Sequence, residues 1–510
     1  MISDPHWTRS DSSDDKGLRK EWPLFIECER GDLQKVKELC ENGANVNQRN
    51  DEGLTCLMVP DFSFWRSKEA EAIFRYLVQQ GLSVDAVTSN GRSALHFAVE
   101  EVNYYLVKLL ISEGAKNFRD ENGETPLFKA ALRAPRCDVS NDIYHLLMNY
   151  VEDKKVKQDA VLLRAAVNYI RDPGNQSLNE FAMTLVAAHS SEQGSDDEEE
   201  VELNPAYDFL REARSSDEFD AARDLERFTS LQCFIVMERI LTQRHPDIPG
   251  MLHGYFSYGA CRNFHDPRNV ALLRHVVFLD QKYAEPFSDT LFYVLRDVFE
   301  HVITWKNRFS SEGYEEIPPE VVELTKFLFD QTCCALEKAH REVMKNGARS
   351  WKCVRFVRLP VALFASIRHF GCEIDDKEKM KVVGFDVLRF VKASKLLHVP
   401  LFHLETFSRL PFLVPFFVQA GANINEKKVD GRTALAGHLY FCFKKAARTS
   451  DRWDLVRKLI SCGARLFVRS HEDRQVFRLL RPGTMKRYSM SLGTTLNIRR
   501  EAAHLPDASK

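Results

Sequence analysis

Few side chains in this 510-residue chain stand at a spacing that could do chemistry. Cys261 and His265 are close enough in sequence to share a metal ion. A zinc site needs about four ligands, and no second pair accompanies them, so the spacing reads as coincidence. Glu315, Glu316 and Glu320 lie in or beside a proline-bearing loop, with no partner group for acid–base work. The sequence has no phosphate-cradling glycine loop with its lysine, no G-x-S-x-G and no H-E-x-x-H. It therefore predicts no catalytic residue, no metal and no cofactor. What remains is binding chemistry. Short polar turns carry Glu52, Leu54, Arg92, Glu121 and Glu124, a mixture of acidic and basic tips suited to a charged peptide end.

A recurring pattern positions those turns. Gly43-Ala44-Asn45-Val46-Asn47 returns in related form at Gly81–Asp85, Gly114–Phe118, Gly421–Asn425 and Gly463–Leu466. Each copy follows an amphipathic run such as Val107–Ile111, and most lead into a turn and a Thr/Ser-x-Leu signature, at Asp51–Leu57, Asn90–Leu95, Asn122–Leu127 and Asp430–Leu435. This resembles the ankyrin repeat, whose period is about 33 residues. The glycine permits the left-handed conformation that ends the second helix of a repeat. The polar turn projects as a finger, and the Thr or Ser caps the next helix. His96 falls at the repeat's usual histidine position, which predicts a hydrogen-bonding role in fixing the loop. Arrays of this kind bind proteins.

The bulk numbers narrow the class. The chain is 44% hydrophobic and 28% charged, with 71 basic against 73 acidic residues. That balance gives no global field to favour nucleic acid or an anionic membrane. The longest apolar run, Leu410–Val418, holds two prolines and is too short to span a bilayer. The N-terminal stretch is polar, unlike a secretory signal. Twelve cysteines without framework spacing fit reduced thiols in a cytosolic or nuclear protein.

Along the chain, the sequence predicts a disordered tail over 1–18 and N-terminal ankyrin repeats over 19–152, with an insertion around Pro60–Ser67. A helical connector over 153–189 and an acidic linker over 190–202 follow. Residues 203–408 read as an entirely helical, tetratricopeptide-like region, with a helix starting at Ala206–Leu210. C-terminal ankyrin repeats occupy 409–470 and a basic tail 471–510. The fold class is all-α: an ankyrin solenoid with a central helical region and closing ankyrin repeats. Arg355, Arg358 and Arg368, interleaved with Phe356, Phe364 and Phe370, leave open a nucleic-acid reading; a solvated basic helix face explains them as well.

This order of parts resembles the Fem-1 family. Ala206-Tyr207-Asp208, then Ile235–Leu241 and His245-Pro246-Asp247, are similar to its central helical region. Asp159–Arg171 resembles the segment joining the first array to that region, and Gly421–Asn425, Asp430–Leu435 and Val456–Ala464 resemble its closing repeats. The resemblance implies a substrate receptor of a cullin–RING ubiquitin ligase, with no catalytic site of its own. In that family the N-terminal repeats grip the C-terminal ends of substrate proteins, and a short C-terminal helix docks elongin B/C and, through it, a cullin. The candidate docking segment here is 484–503, with Leu492, Leu496 and Ile498 as anchors. A plain ankyrin scaffold without ligase docking is the alternative.

Overall fold

The computed structural model describes residues 23–50, 53–58, 68–133, 138–190, 203–241, 245, 247–258, 266–283, 288–298, 319–346, 356–358, 360–361, 386–397, 399–404, 407, 410–428, 432–444 and 450–465. Glu52, Pro60–Ser67, the 1–18 tail, most of the acidic linker, Cys261, His265, Glu315, Glu316 and the anchors Leu492, Leu496 and Ile498 lie outside them. Among the described residues all regular structure is helical, with two isolated antiparallel bridges, Val87 with Ser93 and Lys427 with Thr433. No helix among them is long and apolar enough to cross a membrane. The chain divides into two compact units, residues 1–251 and 252–510.

The first unit opens with the repeats. Pro23–Arg30 pairs with Leu33–Glu41, Ala94–Glu100 with Tyr104–Ser112, and Pro126–Leu132 with Asp138–Tyr150. In the next repeat the short turn Cys56–Met58 stands at the first-helix position and Lys68–Gln79 is the second helix. Local chemistry starts each helix. The carboxylate of Asp32 accepts from Lys35 N at 3.1 Å, the amide oxygen of Asn103 from Leu106 N at 3.1 Å, and the hydroxyl of Thr125 from Phe128 N at 3.1 Å. Pro126 then occupies the first helical position, where its missing N–H costs nothing. Leu95, Leu106, Leu110 and Leu127 are fully buried between neighbouring helices. Each such burial stabilises the stack by roughly 1.5–3 kcal/mol.

The fingers close through the backbone. Thr88 N donates to Arg92 O and Asp120 N to Glu124 O, both at 2.9 Å. Gly91 sits at the finger turn with φ +79°, and a Cβ there would come 3.2 Å from Asp120 Cα on the next finger. Gly114 ends its repeat at φ +78° in open space. The two glycines answer different needs: Gly114 only a left-handed backbone, Gly91 that and a close approach.

After the repeats, Lys154–Arg171 packs against Pro126–Leu132, Asn175–Ser190 and Leu225–Leu241, and so carries the stack into the helical region. The Leu225–Leu241 helix buries far more than one apolar stripe. Thr229, Ser230, Gln232, Cys233, Val236 and Met237 are buried beside Leu231, Phe234, Ile240 and Leu241, so it is covered nearly all round.

One expectation fails here. Ala206–Leu210 does not start a helix. Pro205–Tyr207 forms a single tight turn, and Asp208 and Phe209 then take left-handed backbone at φ 53° and 57°. Side chains from the helix beyond hold the segment on either side. Arg227 grips Asp208 with two hydrogen bonds of 2.8 and 2.9 Å. Gln232 accepts from Ala213 N and donates to Arg211 O, both at 2.8 Å. The amides of Asp208, Phe209 and Leu210 close the turn locally on the carbonyls of Pro205, Asn204 and Tyr207, and Gln232 satisfies the backbone just beyond it.

The second unit contains Pro267–Tyr283 packed on Pro319–Asn346, which in turn packs on Val387–Leu396. Arg389 binds Glu337 in a fork at 2.7 and 2.8 Å and donates to Cys334 Sγ at 3.2 Å. A chain of rings, Phe329, Phe390, Phe417, Phe407 and Phe402, runs from that pair into the closing repeats, with centroids 5.2–6.4 Å apart. Leu413–Gln419, Ala434–Lys444 and Ser450–Ser461 form those repeats, with Gly421 and Gly463 at positive φ as in the first array.

Gly114→Ala should lower unfolding stability by about 1 kcal/mol, the cost of a left-handed alanine. Gly91→Ala should cost more, because its Cβ also meets backbone that cannot step aside. Urea unfolding monitored by circular dichroism checks the order; equal losses would count against the close approach at Gly91.

Candidate protein-binding face

The inner face of the first array is built from fingers and the helices that follow them. Arg92 ends one finger, and its guanidinium lies 4.2 Å from the ring centroid of Phe97, a cation–π contact. The same guanidinium pairs with Glu100, the last residue of the Ala94–Glu100 helix. Lys129 Nζ, on the next first helix, stands 2.5 Å from Glu124 Oε2 and 4.0 Å from Glu100 Oε1. Arg133, which caps that helix, places a terminal nitrogen 4.0 Å from the same Glu100 oxygen. Three cations thus converge on one carboxylate. The cluster is partly open to solvent, with Arg133 34% and Glu100 32% exposed.

The expected contact residues fare unequally. Arg92 belongs to the cluster. Glu121 is exposed on its finger, held by a bond from its N–H to Asn90 O at 3.0 Å. Leu54 is half-buried at the base of the preceding finger, its N–H bonded to the Asn50 side chain at 2.8 Å. Glu124 is not an exposed tip. It is 3% exposed, because the finger closes on its carbonyl and turns its side chain inward. There it meets Lys129 and, 3.4 Å away, Nε2 of the equally buried His245. Burial alone would push this carboxyl up; the neighbouring His245 and Lys129 outweigh it and hold the group at about 2. Arg119 ties the same finger to the end of the Leu225–Leu241 helix, donating to Gly123 O at 2.9 Å and to Ile240 O at 3.2 Å.

Phe97, Glu100, Lys129 and Arg133 were missed by sequence reasoning. The signal was present in register: Phe97 and Lys129 each stand four residues after a helix-capping Ser93 or Thr125, one turn along the inward-facing stripe. Their meeting with Arg92 depends on stacking, which register alone does not give.

His96 performs the structural task expected of it. Nδ1 accepts from Ser93 N at 3.0 Å, so Nε2 carries the proton donated to Glu124 O at 3.2 Å. It links one repeat's helix to the next repeat's finger. Burial lowers its pKa below the ordinary value, against the opposing pull of the Glu124 backbone and the Asp120 and Glu124 charges. Among the described residues no group of three or more His, Cys, Asp or Glu gathers as a metal site.

The family model for ankyrin repeats matches residues 64–168, in three copies. A fem-1 homolog A-like protein of Mus musculus is 24% identical over 305 residues, covering 52% of this chain and 45% of the relative. An ankyrin repeat-containing protein of Schizosaccharomyces pombe is 31% identical over 100 residues, 19% of this chain and 44% of the relative. A tyrosine-protein kinase of Hydra vulgaris is 31% identical over 116 residues, 22% of this chain and 15% of the kinase. The chain thus spans under half the length of these relatives.

The buried imidazole sets a pH dependence. The folded state favours neutral His96, so the unfolded chain takes up the proton first. Its stabilising share is complete above about pH 6.5 and is lost as pH falls toward the lowered folded value. Thermal midpoints should therefore drop between pH 7 and pH 5, and His96→Gln should flatten that slope. A slope unchanged by the substitution would remove His96 from the account.

Proposed function

Taking the chain as the Fem-1-like ankyrin-repeat protein that its repeats and relatives mark it to be, we propose that it is the substrate-recognition subunit of a cullin–RING ubiquitin ligase. The first ankyrin array receives the C-terminal end of a target protein, and partner subunits carry out ubiquitin transfer. The observation that carries this reading is the convergence of Arg92, Lys129 and Arg133 on the partly open inner face. Guanidinium groups bind carboxylates through paired, charge-assisted hydrogen bonds. The ring of Phe97 beneath Arg92 holds that guanidinium in place.

A library of peptides displayed with free C-termini tests the first half. The full-length chain should enrich peptides sharing terminal residues, and amidating the terminus should weaken capture by at least about tenfold, one charge-assisted contact. Arg92→Ala and Lys129→Ala should each weaken it several-fold in protein that retains its helical circular dichroism. Equal capture of internal and terminal sequences would overturn the reading.

The ligase connection rests on 484–503. Leu492 and Leu496 are four apart and share one face if that segment is helical. Elongin B/C should co-purify with the full-length chain and be lost on deleting 484–510, with peptide capture unchanged. A full-length chain that never recovers elongin would leave a plain interaction scaffold.

A further inference from the structure

We propose that Glu100 is an internal occupant of the carboxylate position on this face, and that an incoming peptide carboxylate must displace it. The inference rests on the reading above, that the face takes a carboxylate.

Four observations carry it. First, Glu100 stands where a ligand carboxylate would stand: one oxygen pairs with Arg92, and the other lies 4.0 Å from both Lys129 and Arg133. Second, two of those approaches are too long for hydrogen bonds, which need about 2.7–3.2 Å. Lys129 gives its short contact to Glu124 instead, at 2.5 Å. Arg133 holds Glu100 only at the edge of ion-pair range, so donors of its five-donor fork remain for another acceptor. The cations are aimed at the position more than they are satisfied by Glu100.

Third, Glu100 is the last residue of its helix. A carboxylate there faces the negative end of the helix dipole, which disfavours it. The cations hold the side chain in place, and its own helix does not. Fourth, Glu100 is 32% exposed, so it can swing into water without leaving a buried charge behind. The buried Glu124 cannot do the same, being 3% exposed and held from two sides. Of the two carboxylates that Lys129 reaches, Glu100 is the exchangeable one.

The consequence is self-competition. A ligand carboxylate gains Arg92 only by the amount that its own pairing exceeds the Arg92–Glu100 pairing, so the resident side chain sets a threshold for capture. Ligands with a poorly placed carboxylate fail to cross it.

The test uses full-length protein and a peptide enriched from the free-C-terminus library, in acid and amide forms, by fluorescence polarisation. Glu100→Gln keeps the shape and removes the charge; Glu100→Ala removes the side chain. Glu71→Gln removes the same charge from the exposed Glu71–Arg75 pair on a second helix and serves as control. Glu100→Gln and Glu100→Ala should each bind the acid about two- to fivefold tighter, the range expected for losing a part-exposed ion pair. Glu71→Gln should bind as wild type. A gain confined to the free acid assigns the displacing group to the peptide terminus. A gain kept by the amide, and lost when the peptide's Asp and Glu become Asn and Gln, assigns it to a side chain; both outcomes support displacement. Unchanged or weaker binding of the two Glu100 variants, with capture still dependent on Arg92, would make Glu100 a strut for Arg92. That result overturns this inference and leaves the receptor reading standing. If no peptide's capture depends on Arg92 or Lys129, both fall.

Discussion

Neighbouring repeats are kept in register by one polar side chain at each of three junctions. Asn47 accepts from Ser83 N and donates to Gly81 O, both at 2.8 Å. Asp85 accepts from Lys116 N at 2.8 Å, and the Lys116 ammonium, 3.7 Å away, adds charge where the aspartate lacks an amide donor. In the closing repeats Asn425 accepts from Arg465 N at 2.6 Å and donates to Gly463 O at 3.4 Å. Each bond satisfies a backbone group that the turn out of a helix leaves without a partner, and each contributes about 1 kcal/mol net. Repeat stacks derive their stability from junctions of this kind, since one unit cannot bury its own apolar face. The positions of the fingers, and therefore of Arg92, follow from the registers so fixed.

A second junction element makes the face asymmetric. His96 reaches across to the carbonyl of Glu124, and the finger closes on that carbonyl as well. Glu124 is thereby committed to the interior, where Lys129 compensates its charge and His245 Nε2 stands 3.4 Å away. Burying an uncompensated carboxylate would cost several kcal/mol. The arrangement draws Lys129 partly away from the surface, leaving Arg92 and Arg133 as the more open cations beside Glu100. The chemistry of the face is set one layer beneath it.

These relations explain what the sequence could and could not disclose. The repeat frame was legible, because a left-handed glycine and a Ser or Thr cap are demands of the local backbone. Gly114 and Thr125 do what their types imply. Glu124 was misplaced because finger residues look alike in sequence, while its direction is decided by His96 and by His245, 121 residues further on. The helix expected at Ala206–Leu210 failed for a similar reason. Its local pattern is permissive, and Arg227 holds the side chain of the left-handed Asp208 from a helix further along the chain. Legibility ended wherever the deciding partner lay beyond the repeat itself.

The closing repeats show the same frame put to another use. Four residues after the capping Thr433, where the first array has Phe97 and Lys129, stands Gly437. A Cβ there would meet His403 Nδ1 at 4.0 Å, because the short turn Leu401–His403 packs on the Ala434–Lys444 helix. His438 Nε2 donates to Phe402 O, 2.9 Å away, reaching back toward preceding chain where His96 reaches forward to the next finger. The inner face of that helix is therefore occupied by the protein's own backbone, and the aromatic run from Phe402 through Phe417 to Phe390 fills the space beyond it. Both arrays share the glycine turns and the asparagine junctions. Of the two described inner faces, the first presents charge to solvent and the second is spent on packing. On the first face that charge is carried by Arg92, Glu100 and Arg133.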